Sequence, residues 1–335
     1  MLAKGGAGGE DPDAPAKESA GAGGKAGDTG LDPEFELLLR TAAANDSSTT
    51  ILALRHTKLE PRHAQPLLFA ALAKHNRTLL SLDLTKCQLA RDAVVGHTRL
   101  SSQSSPGKEQ EEVGQPGRGG GGGLGGLAAW VANHGGLRDL FLSDNPLLGD
   151  DAAQALSLAL EGHPNLKTLH LARCRVGKKG AVALSRAIAR NDSIRDLDLS
   201  SNRVGPDGGA ALGEALRRNA SLTALDLADN EIVRYDLRRR GHQLQALSAL
   251  AEAMRYNYSI ARLGLAKNSL CGVDEYGRGE EDRAGCVALA GALRLNKTLR
   301  SLDLAGNPGA EALKSSFAVG APRVAVNFLL PRKKW

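Results

Sequence analysis

Leu166-Lys167-Thr168-Leu169-His170-Leu171-Ala172-Arg173-Cys174 recurs, apolar positions kept, as Ile194–Leu197–Leu199–Asn202 and Leu222–Leu225–Leu227–Asn230. Side chains alternate across a strand, so the paired Leu residues of each copy point to one side of a short strand and their neighbours to the other. Leu79, Leu137, Ile260 and Leu299 open four further copies, and Thr49–Leu52–Leu54–Thr57 is a weaker one. Successive first positions lie 30, 58, 29, 28, 28, 38 and 39 residues apart. The period is therefore 28 to 30, and three intervals carry an insertion of about 30, 10 and 11 residues.

That period accommodates a strand and a full helix per unit. The spacing predicts helices such as Lys179–Arg190 and Gly208–Arg218, whose apolar faces (Val182, Leu184 and Ile188; Leu212 and Leu216) pack back onto the strands. Asn145, Asn202, Asn230, Asn268 and Asn307 follow their strands where the chain turns. A buried Asn there satisfies backbone groups of neighbouring turns, each of which costs about 1–3 kcal/mol if left unpaired. Cys87 and Cys174 take the same position, with a weaker version of the role.

From about Thr49 to Asn307 the chain resembles the ribonuclease-inhibitor-like leucine-rich repeat family, on its Leu-x-x-Leu-x-Leu-x-x-Asn/Cys units. The resemblance implies an α/β, right-handed solenoid of about eight repeats, a horseshoe with parallel strands concave and helices convex. Members bind other proteins, usually through the concave strands or their rim. They include ribonuclease inhibitor, the sensor region of NOD-like receptors, Ran GTPase-activating protein and ciliary scaffolds.

Composition agrees. The chain has 335 residues, 42% hydrophobic yet only 3% aromatic, as a core of Leu and Ala requires. Its net charge of +6 is a mild excess, without a basic run interleaved with aromatics, so no nucleic acid is expected. The four cysteines form no Cys-x-x-Cys, which speaks against a zinc site or disulfide scaffold and for a reducing compartment. No run of 18 apolar residues and no secretory signal is read, so the expected location is cytoplasmic, with nucleus or cilium as variants, and no membrane contact.

The expected organisation has four parts. Residues 1–31 read as a disordered tail. Residues 32–48 read as a helical cap, with Pro33 at its start and Phe35, Leu38 and Leu39 on its apolar face. Repeats fill 49–313. Residues 314–335 form a C-terminal cap with a last edge strand at Val324–Leu330 and a basic tail. The insertions fall near 97–126, 233–243 and 272–282, each between a strand and its helix, and so on one rim. The first is Ser-, Gly- and Glu-rich. The other two oppose in charge: Arg234, Arg238, Arg239 and Arg240 against Asp274, Glu275, Glu280 and Glu281.

Several motifs dissolve under the repeat. Five of six Asn-x-Ser/Thr sequons (Asn76, Asn191, Asn219, Asn257, Asn296) share one position, where a helix must stop; Asn suits the left-handed conformation that ends helices. The G-x-G-x-x-G at Gly121, Gly123 and Gly126 is a by-product of poly-Gly, with no strand before it. No nucleophile, metal or cofactor motif is present, so the chain reads as a non-enzymatic protein-binding scaffold or regulator with no cofactor. Alternation places Asp83, Asp139, Phe141, His170, Asp196, Asp198, Asp226, Arg262 and Asp303 on the open strand face, as candidates for partner contact. A basic column (Arg138, Lys167, Arg195, Arg300) runs beside them. The alternatives are a GTPase activator like the Ran activators, supplying Arg91 or Arg234 in trans, and a structural subunit of a large, for example ciliary, assembly.

Overall fold

Each repeat unit builds one three-residue strand, too short to stand alone and completed only by its neighbours. The computed structural model describes residues 37, 39–40, 50–59, 64–90, 126–236, 241–272, 282–320 and 322–328. Among the described residues, nine strands form one parallel sheet in chain order: β1 (Ile51–Ala53), β2 (Ser81–Asp83), β3 (Asp139–Phe141), β4 (Thr168–His170), β5 (Asp196–Asp198), β6 (Ala224–Asp226), β9 (Arg262–Gly264), β10 (Ser301–Asp303) and β11 (Ala325–Asn327), while β7 (Tyr235–Asp236) and β8 (Gly241–His242) pair only with each other. Pairing is in register throughout: Leu82, Leu140, Leu169, Leu197, Leu225, Leu263 and Leu302 stand side by side. All seven are at most 2% exposed. The expected alternation holds, and the final edge strand is β11.

Helices return the chain between strands: α1 (Ala64–His75), α2 (Leu127–Asn133), α3 (Gly149–Leu160), α4 (Lys178–Ile188), α5 (Gly205–Arg218), α6 (Gln245–Tyr256), α7 (Ala284–Leu293) and α8 (Lys314–Gly320). Packed helices need about 8–10 Å per repeat and strands about 4.8 Å, so the stack curves with its strands inside. Leu184, Ile188, Leu212 and Leu216 are buried as expected. On α4, however, Ala181 takes the buried place and Val182 is only half-buried. Helices α5 and α6 pack tightly at Gly213, where a Cβ would meet the Ala249 backbone at 2.8 Å.

Two ladders of hydrogen bonds run along the stack. In the first, Asn202 Nδ2 donates to Leu171 and Leu199 carbonyls (both 2.8 Å), and its Oδ1 accepts from the Cys174 and Val176 amides (3.0 and 2.9 Å). Asn145, Asn230, Asn268 and Asn307 act alike. Cys87 and Cys174 keep only the donor half, to Leu54 O (2.9 Å) and Leu142 O (3.1 Å). The residue before each ladder position carries the positive φ of the turn: Arg173 (53°), Ser201 (53°), Asp229 (56°) and Lys267 (53°). Such strain in non-Gly residues persists only where the surroundings over-determine it, and the ladder does so.

The second ladder is that of the sequons. Asn219 Nδ2 donates to Ile188 and Asn191 carbonyls (2.7 and 2.8 Å) while Oδ1 accepts from Leu222 N (2.7 Å). Asn191, Asn257 and Asn296 repeat this, and His134 and His163 stand in the same row. The left-handed conformation expected at these asparagines is absent: Asn219 and Asn257 are extended, with φ of −82° and −81°. Their side chains, not their backbone freedom, explain the residue type.

At the N-terminal end, Leu37, Leu39 and Arg40 are helical, and Leu39 packs on the core. The rest of the cap expected at 32–48, with Phe35 and Leu38, lies outside the described residues, as does the 1–31 tail. No helix among the described residues is long and apolar enough to cross a membrane.

Candidate functional site

The open face of the sheet carries two columns, set by the two outward positions of each three-residue strand. Register aligns Asp83, Phe141, His170, Asp198, Asp226, Gly264, Asp303 and Asn327 in one column. Asp139, Thr168, Asp196, Ala224, Arg262 and Ser301 form the other.

Each Asp of the first column has an internal task. Its Oδ1 accepts the amide two residues on: Asp83 from Thr85 (3.0 Å), Asp198 from Ser200 (2.8 Å), Asp226 from Ala228 (2.8 Å) and Asp303 from Ala305 (3.0 Å). This fastens the strand end to the turn and explains why Asp recurs there. The acids then diverge. Asp83 is 3% exposed and paired with Arg55. Burial raises its pKa, but the Thr85 and Arg55 hydrogen bonds outweigh burial and hold it below the ordinary value. Asp83 is thus not available to a partner, contrary to expectation. Asp303 also accepts from Asn327 Nδ2 at 3.0 Å.

In the middle of the face, four expected residues come together. Phe141 meets the His170 ring edge-on at 5.0 Å, and it is half-buried rather than exposed as alternation alone implied. His170 Nε2 lies 3.5 Å from Asp196 Oδ1, and Arg262 donates to Asp196 Oδ2 at 2.9 Å. Arg262 reaches Asp196 from two strands away, across β6, whose outward residue there is the buried Ala224. The contact with Asp196 raises the His170 pKa against the opposing effect of burial, and the same contact lowers that of Asp196.

Beside this bridge opens a hollow of about 290 Å³, lined by Asp196, Asp198, Asp226, Gly264, Arg262 and Asp303 among others. Gly264 makes room for it: a Cβ there would lie 2.4 Å from Asp226 Oδ1. The Asp226 carboxylate therefore leans over β9, between Asp198 and Asp303. Burial first, then repulsion from Asp198, Asp303 and Asp196, pushes its pKa up despite the Ala228 hydrogen bond. Sequence reading supplied the acids but missed Gly264. The only signal was a Gly where other repeats carry Asp, His or Phe. Asp139 stands half-buried at the far end of its column, on β3.

The rim is described only in part. Within the second insertion, β7 (Tyr235–Asp236) and β8 (Gly241–His242) pair antiparallel. Arg234 precedes it and is ion-paired with Glu231. Arg238, Arg239 and Arg240 lie outside the described residues, as do Asp274, Glu275, Glu280 and Glu281 of the third insertion, Arg91, and the first insertion up to Gly125. A larger cleft of about 600 Å³ opens at the helix-to-strand turns around Asn76, Arg77, Trp130 and His134, which the sequence did not signal. Among the described residues, no cluster of His, Cys, Asp or Glu could hold a metal ion.

Comparison with known proteins bears on the repeats. Residues 75–93, 162–185, 190–213, 218–232 and 295–308 match the leucine-rich repeat family model. No curated protein matches the chain. Among solved structures it is similar to the leiomodin-1 actin-binding site 2, at 22% identity and a TM-score of 0.36, over 41% of this chain and 76% of that one. It is also similar to the tropomodulin C-terminal domain of Caenorhabditis elegans, at 16% identity and a TM-score of 0.38, over 50% of this chain and 92% of that one. With its nine-stranded parallel sheet and a returning helix between successive repeat strands, the chain is an α/β leucine-rich repeat solenoid.

Proposed function

We propose that this protein is a non-enzymatic scaffold of the ribonuclease-inhibitor-like kind, which binds another protein on its inner strand face. The observation that carries the reading is the hollow over Gly264, where Asp226 is held between Asp198 and Asp303 at a raised pKa. Like charges gathered in a half-buried hollow destabilise the free molecule. A cation from outside relieves that repulsion, so the natural guest is a Lys or Arg side chain of a partner. His170 lines the hollow and Phe141 packs against its ring, a half-buried aromatic pair of the kind that anchors interface centres. The rim Arg234, already paired with Glu231, gives no separate support to a GTPase-activating role.

Asp226→Asn tests the reading. Asn keeps an oxygen for the Ala228 amide and removes the repelled charge. The variant should fold at least as stably at pH 7 as the wild type. A short arginine peptide should shift NMR signals of Asp226, Gly264 and Asp303 in the wild type and lose most of that effect in the variant. A citrulline peptide of the same sequence is the control. Equal response to arginine and citrulline, or shifts spread over the helices, would refute the proposal.

A further inference from the structure

The third insertion leaves and re-enters the fold between two thiols. Cys271 ends the turn after β9, and Cys286 lies in the first turn of α7. Both are fully buried, and their sulfurs are 3.5 Å apart. The backbone closes the same neck: the Asp282 amide donates to the Cys271 carbonyl at 2.9 Å. Gly272, at a φ of 82°, turns the chain out directly after Cys271. The other cysteines differ. Cys87 and Cys174 give their thiols to carbonyls of the preceding repeat, and burial pushes each up to about 12.

We propose that Cys271 and Cys286 form a dithiol–disulfide site that clasps the neck of the acidic insertion. The sulfurs need to approach by about 1.5 Å to reach bonding distance near 2.05 Å. The glycine directly after Cys271, at a positive φ, gives the backbone on that side the freedom for this approach. With a peroxide as oxidant the step balances. One thiolate attacks a peroxide oxygen, the O–O bond breaks, and the departing hydroxide takes up the thiol's proton, leaving a sulfenic acid and one water. The second sulfur then attacks the first, the S–O bond breaks, and its proton leaves with the hydroxide as a second water. Two thiols are oxidised, and one peroxide is reduced to two waters.

The site is slow by construction. The hydrogen bond with Cys271, and then burial, push the Cys286 thiol far up, so thiolate is scarce while the neck is shut. Oxidation therefore follows opening of the neck, and the disulfide records that opening. It joins ends that already meet, so it fixes the insertion without moving the repeats. This inference is independent of the acidic hollow and of any partner there.

The test uses the full chain in its native state with hydrogen peroxide. The expected product is lighter by about 2 Da, the two hydrogens lost. Peptide mapping should join Cys271 to Cys286. Protease nicks within residues 273–281 should then leave the pieces linked until a reductant is added. Cys271→Ser and Cys286→Ser should each lose this product, and Cys174→Ser should retain it. Mapping of the wild type needs no variant, so a variant that misfolds does not blind the test. Gains of about 16 Da per cysteine without a link, bonds to Cys87 or Cys174, disulfide-linked dimers, or four thiols still free after prolonged peroxide treatment would each overturn the proposal.

Discussion

Replacing Asn202 puts a magnitude on the ladder that holds the turns. Its side chain is the hydrogen-bond partner of the Cys174 amide, the Val176 amide and the Leu171 carbonyl. Leu199 O keeps a second donor in Asn230 Nδ2, at 2.8 Å. Asn202→Ala thus orphans three buried groups, at about 1–3 kcal/mol each. Relaxation and entering water pull the sum to its lower end, and we expect about 3–4 kcal/mol. Asn202→Cys copies what the chain itself does at position 174: it restores the donor to Leu171 O and leaves two amides unpaired, for about 2 kcal/mol. Repeat proteins couple mainly to nearest neighbours, so the loss should be local. Native-state hydrogen exchange reads it directly. The Cys174 and Val176 amides should exchange about a few hundredfold faster in the Ala variant, since about 1.4 kcal/mol is a factor of ten, and less fast in the Cys variant. If Ala changes these amides less than about threefold, or if Ala and Cys behave alike, the hydrogen bonds are not what holds the turn.

Leu197→Ala, at a fully buried strand position, should cost about 2–5 kcal/mol, whereas Asp198→Ala loses only the Ser200 amide bond and should cost about 1 kcal/mol; equal denaturation midpoints would refute the assigned register. His170 should titrate above its ordinary value by NMR, and Asp196→Asn should bring it down, because Asp196 is the main cause of the shift. A His whose folded pKa is raised stabilises fully below its unfolded pKa near 6.5 and loses that contribution as pH rises through the folded value. The wild type should therefore lose stability on raising pH through this window relative to His170→Gln, and a flat difference would count against the bridge.

Much of the architecture was legible because the repeat forces one solution many times. The Leu-x-x-Leu-x-Leu spacing determines which side chains face inward, and each strand is useless without its neighbours, so the parallel stack and its register follow. The ladder role of Asn202 and its equivalents was readable for the same reason. The sequon asparagines were placed correctly and explained wrongly, since sequence shows that a helix must stop there but not whether backbone or side chain stops it.

The open face was legible as a list of residues and not as a site. Alternation placed Asp83 and Asp226 as equals, yet Arg55 covers one and repulsion isolates the other, because a carboxylate's state depends on groups several strands away in sequence. The Arg262–Asp196 bridge spans 66 residues, and the hollow exists because Gly264 lacks a side chain opposite Asp226. Cys271 and Cys286 looked like unrelated thiols until the insertion's two ends were seen to meet. Periodicity therefore determined the scaffold, which depends on local spacing repeated. Only tertiary structure decided the charges and contacts on its surface, which depend on distances between repeats that no single repeat encodes.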